Sequence, residues 1–330
     1  MEQRKKDHIE LAFQSQLKNE SIDQRFYYEP MLNPHPGKLL KPFNFLGKTM
    51  KAPIWVSSMT GGTEKAEKIN KNLARACNEF GLGMGLGSCR IILDNDTFFH
   101  QFDVRDIIGN DYPLYANLGI SQIEKSLKER GTDKIIRLVE RLRADGLFIH
   151  VNPVQEWLQP EGDIIERPPL ETIAEFVSNV DFPVAVKEVG QGIGPESLLG
   201  LLKLPLQAIE FAAFGGTNFA KVELLRSDET RQQLLEPLSK IGNDAYSMLM
   251  HINEFADKES DVRVKEIIIS GGIKTFIDGY YLIKKSRINA IYGQASTFLK
   301  HAKESYEQLK SFVGYQLNGL AFANTYLKVK

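Results

Sequence analysis

The stretch GLFIHVNPVQEWLQPEGD, residues 146–163, carries a short apolar run directly into a polar segment. Its first part, GLFI, is typical of a buried β-strand. The fourteen residues from His150 to Asp163 then contain one His, one Asn, two Gln, two Glu and an Asp. These side chains include proton-transfer groups and the oxygen ligands that hard metal ions prefer, so the segment is a candidate functional site. A polar loop around a proline-bounded turn is the alternative explanation.

The same succession of an apolar run, a Gly or polar turn and an amphipathic helix pattern occurs eight times along the chain. Strands that are apolar throughout and separated by helices indicate a parallel sheet buried on both faces. Eight such units predict an α/β fold made of a single closed (β/α)₈ barrel, a TIM barrel. The eight runs are IWVSSM (54–59), GMGLGS (83–88), LYANLG (114–119), GLFIHV (146–151), VAVKEV (184–189), AIEFAAF (208–214), EIIISGG (266–272) and AIYGQA (290–295).

An N-terminal extension at residues 1–52 is expected to precede the barrel, which we assign to residues 53–330. In the extension, residues 1–20 have a helix pattern. The apolar face of this predicted helix consists of Ile9, Ala12, Phe13 and Leu17. The Pro-rich remainder of the extension is predicted to be irregular and to plug one end of the barrel.

Three further segments depart from the simple alternation. Residues 215–264 are about twice as long as a usual connection, which predicts an extra helix there. Residues 89–113 show little helix pattern, although the phenylalanines at 98, 99 and 102 are spaced to anchor a short helix. One or two helices are expected to close the barrel at its carboxyl-terminal side.

The composition narrows the class of protein. Lys and Arg number 41 and Asp and Glu 42, so the bulk charge predicts neither nucleic acid nor an anionic membrane surface as a partner. Only Cys77 and Cys89 occur, too few for a disulfide framework. No apolar run approaches the roughly 18 residues of a membrane span, and the start of the chain is charged where a signal peptide is apolar. We therefore expect a soluble cytoplasmic protein.

The barrel assignment predicts where the chemistry lies, because the sites of such barrels form at the carboxyl ends of the strands. Polar residues follow all eight runs at that end, and this alignment favours the site interpretation of His150 to Asp163 over the loop interpretation. In chain order they are Ser57, Ser58 and Thr60; Ser88 and Arg90; Asn117; the segment from His150; Lys187 and Glu188; Gly215 to Asn218; Ser270 to Lys274; and Gly293 to Ser296.

Three glycine-containing turns follow the last three runs: GGTN at 215–218, SGGI at 270–273 and GQA at 293–295. Backbone N–H groups approach a phosphate closely where side chains are absent, and a helix N-terminus adds favourable partial charge. A single Gly pair is usually only a turn. Three such turns on adjacent strands predict a phosphorylated cofactor.

Lys187 lies inside an apolar run, where an ammonium is costly to bury unless it faces an anionic partner. One explanation is an ion pair with a carboxylate of the barrel. The other is a position at the electron-rich edge of a flavin, where a positive charge stabilises the reduced anion.

At this point the sequence resembles the FMN-dependent type 2 isopentenyl-diphosphate isomerases. The match runs in order from residue 4 to about residue 299, and the QE…QPEGD run together with RK…H near the amino terminus is its most specific part. The matching motifs are RKKDHIEL (4–11), SSMTGG (57–62), GLGSCR (85–90), NLG (117–119), HVNPVQEWLQPEGD (150–163), VKEVGQG (186–192), GGTNF (215–219) and SGGI (270–273).

The resemblance implies interconversion of isopentenyl and dimethylallyl diphosphate, with FMN that must be reduced by NADPH or an equivalent, with Mg²⁺, and in a homo-oligomer, a tetramer or octamer. It places around the flavin Met59, Thr60, Gly61, Ser88, Asn117, Lys187 and Thr217, and around its phosphate Gly271, Gly272, Ile273, Lys274, Ala295 and Ser296. It assigns to the substrate Arg4, Lys5, His8, Ser88, Arg90 and Gln155, with His150, Asn152 and Gln155 as the catalytic group. Glu156 falls at the position of the Mg²⁺ ligand.

The chain departs from the resembled pattern at three positions. Cys89 stands where Gln is usual, Lys274 replaces the commoner Arg, and YGQAST replaces a G-L-A-R-P run. The last two changes affect the phosphate site; Lys can still neutralise a phosphate, but without bidentate geometry.

Two other functions fit parts of the sequence. An FMN-dependent oxidoreductase on the same barrel would need a His base after the seventh strand or a nucleophilic Cys after the sixth, and SGGIKT and FGGTN supply neither. A flavin-binding protein without catalysis has no need of the Gln155–Glu156 pair.

Overall fold

The computed structural model describes residues 2–37, 40–58, 61 and 63–330. Met59 and Thr60, both expected around the flavin, lie outside the described residues. The first described elements are the helix α1 (Glu2–Leu11) and three short strands, β1 (Phe26–Tyr28), β2 (Phe43–Phe45) and β3 (Lys48–Met50).

The predicted helix over residues 1–20 is wrong in length, because α1 ends at Leu11. The apolar side chains expected on one face are not buried: Ile9 is 73% exposed, Phe13 82% and Leu17 86%. Most helical stability in proteins comes from burying such a face. Without that burial, the pattern does not extend the helix.

The remainder of the extension is more regular than expected, because β2 and β3 form an antiparallel hairpin. Its turn is Leu46–Gly47, with φ of 50° and 73°, and positive φ at both central residues matches the twist of a two-residue hairpin. Phe45 and Met50 are fully buried with the barrel residue Trp55. The backbone N–H of Leu46 donates to Glu266, the first residue of a barrel strand. The hairpin therefore forms the expected plug, at the amino-terminal end of the barrel strands.

All eight apolar runs form strands, and these close into one parallel barrel in which sequential strands are neighbours. This confirms the predicted (β/α)₈ barrel. The barrel strands are β4 (Ile54–Val56), β5 (Gly83–Gly85), β6 (Leu114–Gly119), β7 (Gly146–His150), β8 (Val184–Lys187), β9 (Ala208–Glu210), β10 (Glu266–Ser270) and β11 (Asn289–Gln294).

Helices surround the barrel and bury their apolar faces against the outer face of the strands. The helices of this layer and of its loops are α2 (Glu64–Phe80), α3 (Arg105–Ile108), α4 (Ile120–Lys128), α5 (Thr132–Arg141), α6 (Pro153–Leu158), α7 (Pro169–Ser178), α8 (Pro195–Leu202), α9 (Phe219–Arg226), α10 (Glu229–Leu235), α11 (Ala245–Lys258), α12 (Phe276–Lys285), α13 (Ser296–Glu304) and α14 (Tyr306–Tyr326).

The structure of the three segments that depart from the simple alternation agrees with what their sequences predict. The long connection at 215–264 contains α9, α10 and α11, so the extra helix is confirmed. The segment at 89–113 contains a 3₁₀ turn, Asp96–Gln101, that carries two of the three phenylalanines expected to anchor it. The two closing helices are α13 and α14, and a final strand, β12 (Leu327–Val329), pairs with β1.

Among the described residues, no helix combines the length and the apolar character needed to cross a membrane.

Candidate active site

A cavity of about 400 Å³ opens at the carboxyl ends of the barrel strands. It brings together most of the residues predicted to hold a phosphorylated cofactor. The lining includes Lys187, Thr217, Gly271, Gly272, Ile273, Lys274, Ala295 and Ser296.

The glycine turns of this cavity have no room for side chains. A Cβ on Gly271, whose φ is 87°, would lie 2.1 Å from the carbonyl oxygen of Ala213, and one on Gly216 would lie 3.2 Å from the Cα of Gly271. The loops after β9 and β10 therefore touch through their backbones. Helix α13 begins at Ser296 on the same wall. Exposed backbone N–H groups beside a helix N-terminus are a suitable site for a phosphate.

Lys187, the last residue of β8, lies in the wall of the cavity and is 6% exposed. Glu210 is its register partner on β9 and lines the same cavity. No ion pair or hydrogen bond joins the Lys187 ammonium to any described residue, so the explanation as a lysine paired with a barrel carboxylate finds no partner in the described part of the chain. A buried ammonium of this kind is free to face an anionic or electron-rich ligand.

The cavity lining also carries hydrogen-bond acceptors, among them Glu210, to which we assigned no role from the sequence. Glu210 is fully buried; its Oε1 accepts from Ser57 at 2.5 Å and from Ser270 at 3.0 Å. Its Oε2 has no partner among the described residues, and neither has Oε1 of Gln294. The available signal was a glutamate within the apolar run AIEFAAF.

His150, at the end of β7, is held by a chain of hydrogen bonds. The Nδ2 of Asn117 donates to the carbonyl of Leu86 at 3.2 Å, which turns Oδ1 of Asn117 toward Nδ1 of His150 at 3.0 Å. An amide oxygen only accepts, so Nδ1 carries the proton and Nε2 keeps its lone pair. Burial, and to a smaller extent the charge of Lys187, lowers the pKa of His150 to about 3. The imidazole is therefore neutral at physiological pH.

The Gln155–Glu156 pair lies on the short helix α6, directly after β7. Asn152 is 2% exposed, and its Nδ2 donates to Oε1 of Gln155 at 3.1 Å and to Oε1 of Glu156 at 2.9 Å. The backbone N–H of Asp163 donates to Oε2 of Glu156 at 2.8 Å. Both side chains are thus oriented by their neighbours, and each carboxylate oxygen of Glu156 retains a lone pair.

The carboxylate of Asp163 joins the loops that follow three strands. It forms a salt bridge of 2.8 Å with Arg90, from the loop after β5, and accepts from Ser121 and Gln122 of α4 at 3.1 and 2.9 Å. Ser88, from the same loop as Arg90, is exposed. This convergence has no local signal in the sequence, because it depends on three segments that are far apart along the chain.

The two parts of the site are neighbours in the sheet, since His150 and Lys187 are register partners on β7 and β8. The amino-terminal residues are elsewhere: Arg4, Lys5 and His8 are exposed on α1 and make no hydrogen bond or ion pair with the described residues. Their predicted substrate contact stays a prediction.

The residues present fit the predicted groups. The cavity combines a glycine cradle, a helix N-terminus and unpaired polar atoms, which suits a phosphorylated cofactor. The described residues contain no group of three or more His, Cys, Asp or Glu side chains able to hold a metal by themselves. Glu156 alone suits Mg²⁺ only where a ligand's phosphates complete the coordination, which is a usual arrangement for this ion.

Comparison with family models gives no match. Curated relatives match over most of their length. An isopentenyl-diphosphate delta-isomerase of Rickettsia africae (strain ESF-5) is 35% identical over 308 residues, covering 92% of this chain and 86% of the relative. That of Rickettsia typhi (strain ATCC VR-144 / Wilmington) is 33% identical over 305 residues, with 91% and 86% covered.

Solved structures share the fold at low identity. A mandelate oxidase mutant with a monooxide FMN adduct has a TM-score of 0.56 at 14% identity, covering 93% of this chain and 88% of that one. The flavin-binding domain of baker's yeast flavocytochrome b2 has a TM-score of 0.60 at 12% identity, with 91% and 71% covered. The length and identity of the Rickettsia matches decide the family: the chain belongs to the isopentenyl-diphosphate delta-isomerases.

Proposed function

We propose that this protein is a type 2 isomerase, which interconverts isopentenyl and dimethylallyl diphosphate with reduced FMN and Mg²⁺ in isoprenoid biosynthesis. The observation that carries the proposal is the adjacency of two sites across the β7–β8 pair. One is a phosphate-suited cavity whose wall holds the Lys187 ammonium, which pairs with none of the described side chains, and the other is the oriented Gln155–Glu156 pair.

The reaction moves a double bond by one carbon, so a proton is added at one end of an allyl unit and removed at the other. Bound in its reduced form, the flavin would supply a ring nitrogen that gives and accepts a proton, and a π face that stabilises positive charge. Lys187 would favour the reduced, anionic state of that ring through its charge.

The residues of the second site act on the substrate. Gln155, a neutral amide fixed by Asn152, orients the substrate or relays a proton at the reacting carbons. Because it is neutral, it does not repel the positive charge that develops there. Neutral His150 offers the lone pair of Nε2 as a hydrogen-bond acceptor. Glu156 would hold Mg²⁺ together with the diphosphate of the substrate.

The FMN-dependent oxidoreductase is less well supported by the site. The loop from Ser270 to Thr275 supplies no histidine base, and residues 214–218, FGGTN, supply no nucleophilic cysteine. The likeness to the oxidases is one of fold. NADPH as the reductant, a homo-oligomer and a cytoplasmic location stay predictions.

The test is a visible spectrum of the purified protein followed by an isomerase assay. We expect a flavin spectrum, and conversion of isopentenyl diphosphate only when NADPH (or dithionite) and Mg²⁺ are both present. A Glu156→Gln variant should lose this Mg²⁺-dependent conversion, and Glu161→Gln, changed at an exposed carboxylate of the same loop, is its matched control. Conversion that is equally fast in flavin-free protein would contradict the proposal.

A further inference from the structure

Asp163 ends the segment that carries Gln155 and Glu156, and its carboxylate has no assigned role in the reaction. Three loops meet at this carboxylate. Arg90 approaches it with both terminal guanidinium nitrogens, Nη1 at 2.8 Å from Oδ2 and Nη2 at 3.4 Å from Oδ1. This fork-to-fork contact fixes the plane of the guanidinium as well as its position.

Two further donors hold the carboxylate in place. Oδ2 of Asp163 also accepts from Oγ of Ser121 at 3.1 Å and from Nε2 of Gln122 at 2.9 Å. Gln122 is itself fixed, because its Oε1 accepts from the backbone N–H of Gly119 at 3.1 Å. A half-exposed salt bridge alone is usually worth little, but four donor contacts on one carboxylate define its orientation.

Asp163 also contacts Glu156, the residue proposed to bind Mg²⁺. Its backbone N–H donates to Oε2 of Glu156, while its side chain holds Arg90. One residue therefore fixes the relative placement of a cation and of the carboxylate proposed to bind Mg²⁺.

We propose that Asp163 is a positioning residue, which orients Arg90 and Glu156 to receive a diphosphate from two sides, one by its charge and one through Mg²⁺. The inference rests on the proposed function for its ligand class. It predicts that Asp163 contributes to diphosphate binding only through Arg90 and Glu156, and that it contributes nothing to the cofactor cavity.

The test is a double-mutant cycle on binding of inorganic pyrophosphate with Mg²⁺, measured by isothermal titration calorimetry on the flavin-loaded protein. The variants are Arg90→Ala, Asp163→Ala and the double variant. Loss of a charged hydrogen-bond partner in a partly exposed site predicts about five-fold weaker binding for each single variant. Asp163→Ala should leave FMN affinity and the melting temperature close to wild type.

The decisive result is the double variant. If Asp163 acts through Arg90, the double variant binds pyrophosphate about as weakly as Arg90→Ala alone, because coupled residues are not additive. Additive losses, or tighter binding in Asp163→Ala, would overturn the proposal. So would Asp163→Asn with unchanged affinity, since this variant keeps the backbone N–H and the shape but removes the charge.

The outcome separates this inference from the proposed function. If the variants show coupled losses of pyrophosphate binding but the wild-type protein does not convert isopentenyl diphosphate, the positioning role stands and the isomerase proposal is refuted. If the wild-type protein isomerises but the Arg90 and Asp163 variants bind pyrophosphate as tightly as wild type, the isomerase proposal stands and the positioning role is refuted.

Discussion

Lys187 is the residue on which the flavin assignment depends most. Its ammonium lies in the cavity wall without an ion pair to any described carboxylate. We expect Lys187→Ala to lower the midpoint potential of bound FMN, because the charge that favours the reduced anion is removed. For a two-electron couple about 30 mV corresponds to 1.4 kcal/mol, so a fall of a few tens of millivolts is the expected size. Spectroelectrochemical titration measures it.

The control for Lys187→Ala is Lys203→Ala, which removes a lysine on the outside of the barrel. If Lys187 served only stability, its variant would melt earlier while the potential of the remaining flavin stayed unchanged. An unshifted potential in a folded, FMN-loaded variant would refute the placement of Lys187 at the flavin.

His150 makes the stability of the protein depend on pH. Burial lowers its pKa in the folded state to about 3, while the unfolded residue titrates near 6.5. Between these values the unfolded state binds the proton more readily, so this residue's contribution to the free energy of unfolding falls as pH drops from about 6.5 toward 3.

Melting temperatures measured from pH 7 to pH 4 should therefore decline more steeply for wild type than for His150→Gln. His35→Gln, at an exposed histidine, is the control and should follow wild type. Parallel curves for wild type and His150→Gln would show that His150 is not held neutral.

Glu156 is predicted to act on the metal and not on the flavin. Glu156→Gln should lose Mg²⁺-dependent isomerisation and keep FMN, because the carboxylate is absent from the cavity lining and lies on α6. Activity against Mg²⁺ concentration and the flavin content of the purified variant are the two measurements. An unchanged Mg²⁺ dependence rules out the role.

The place of a single residue in the site was predictable where that residue stands out against the apolar run beside it. Lys187 and the glycine turns interrupt or follow apolar runs, and the structure places them in one cavity. Asp163 and Glu210 were not assigned roles, because their importance comes from partners on distant loops and strands, such as Arg90 and Ser57. Hydrogen bonds between side chains far apart in sequence have no local signal.

Helix α1 carries the amino-terminal residues that are predicted to bind the diphosphate of the substrate. Its predicted substrate residues, Arg4, Lys5 and His8, are exposed and make no hydrogen bond or ion pair with the described residues, so they are available to a ligand. Deleting residues 1–8 should raise KM for isopentenyl diphosphate strongly while the melting temperature stays close to wild type. Glu10→Gln is the control. A normal KM after deletion would identify the basic cluster as a solvated helix start.

Among the elements, the barrel strands were predictable and the hairpin was not. The strands are buried on both faces, so their sequences are apolar throughout and easy to recognise. The hairpin β2–β3 has only three residues in each strand, and its turn places Leu46 at positive φ, where a leucine is unusual. Burial of Leu46 against the barrel floor stabilises that turn, and burial in tertiary structure cannot be inferred from neighbouring residues.

The whole molecule is nearly balanced in charge, at a formal net charge of −1, and the charged barrel residues that we propose to act, Arg90, Glu156 and Lys187, lie at or just after the carboxyl ends of strands. The phosphate-suited cavity and the loop that carries Gln155 and Glu156 both lie at the carboxyl ends of the strands, and the hairpin seals the other end. This division lets one face vary for chemistry while the opposite face serves stability.

The central claim is that the reaction moves protons and consumes no reducing equivalents, although the flavin must be reduced. The most direct measurement is conversion of isopentenyl diphosphate in deuterium oxide, with one equivalent of NADPH per flavin supplied anaerobically. We expect many turnovers per NADPH, with solvent deuterium incorporated into dimethylallyl diphosphate. One turnover per NADPH, or a product free of deuterium, would contradict it.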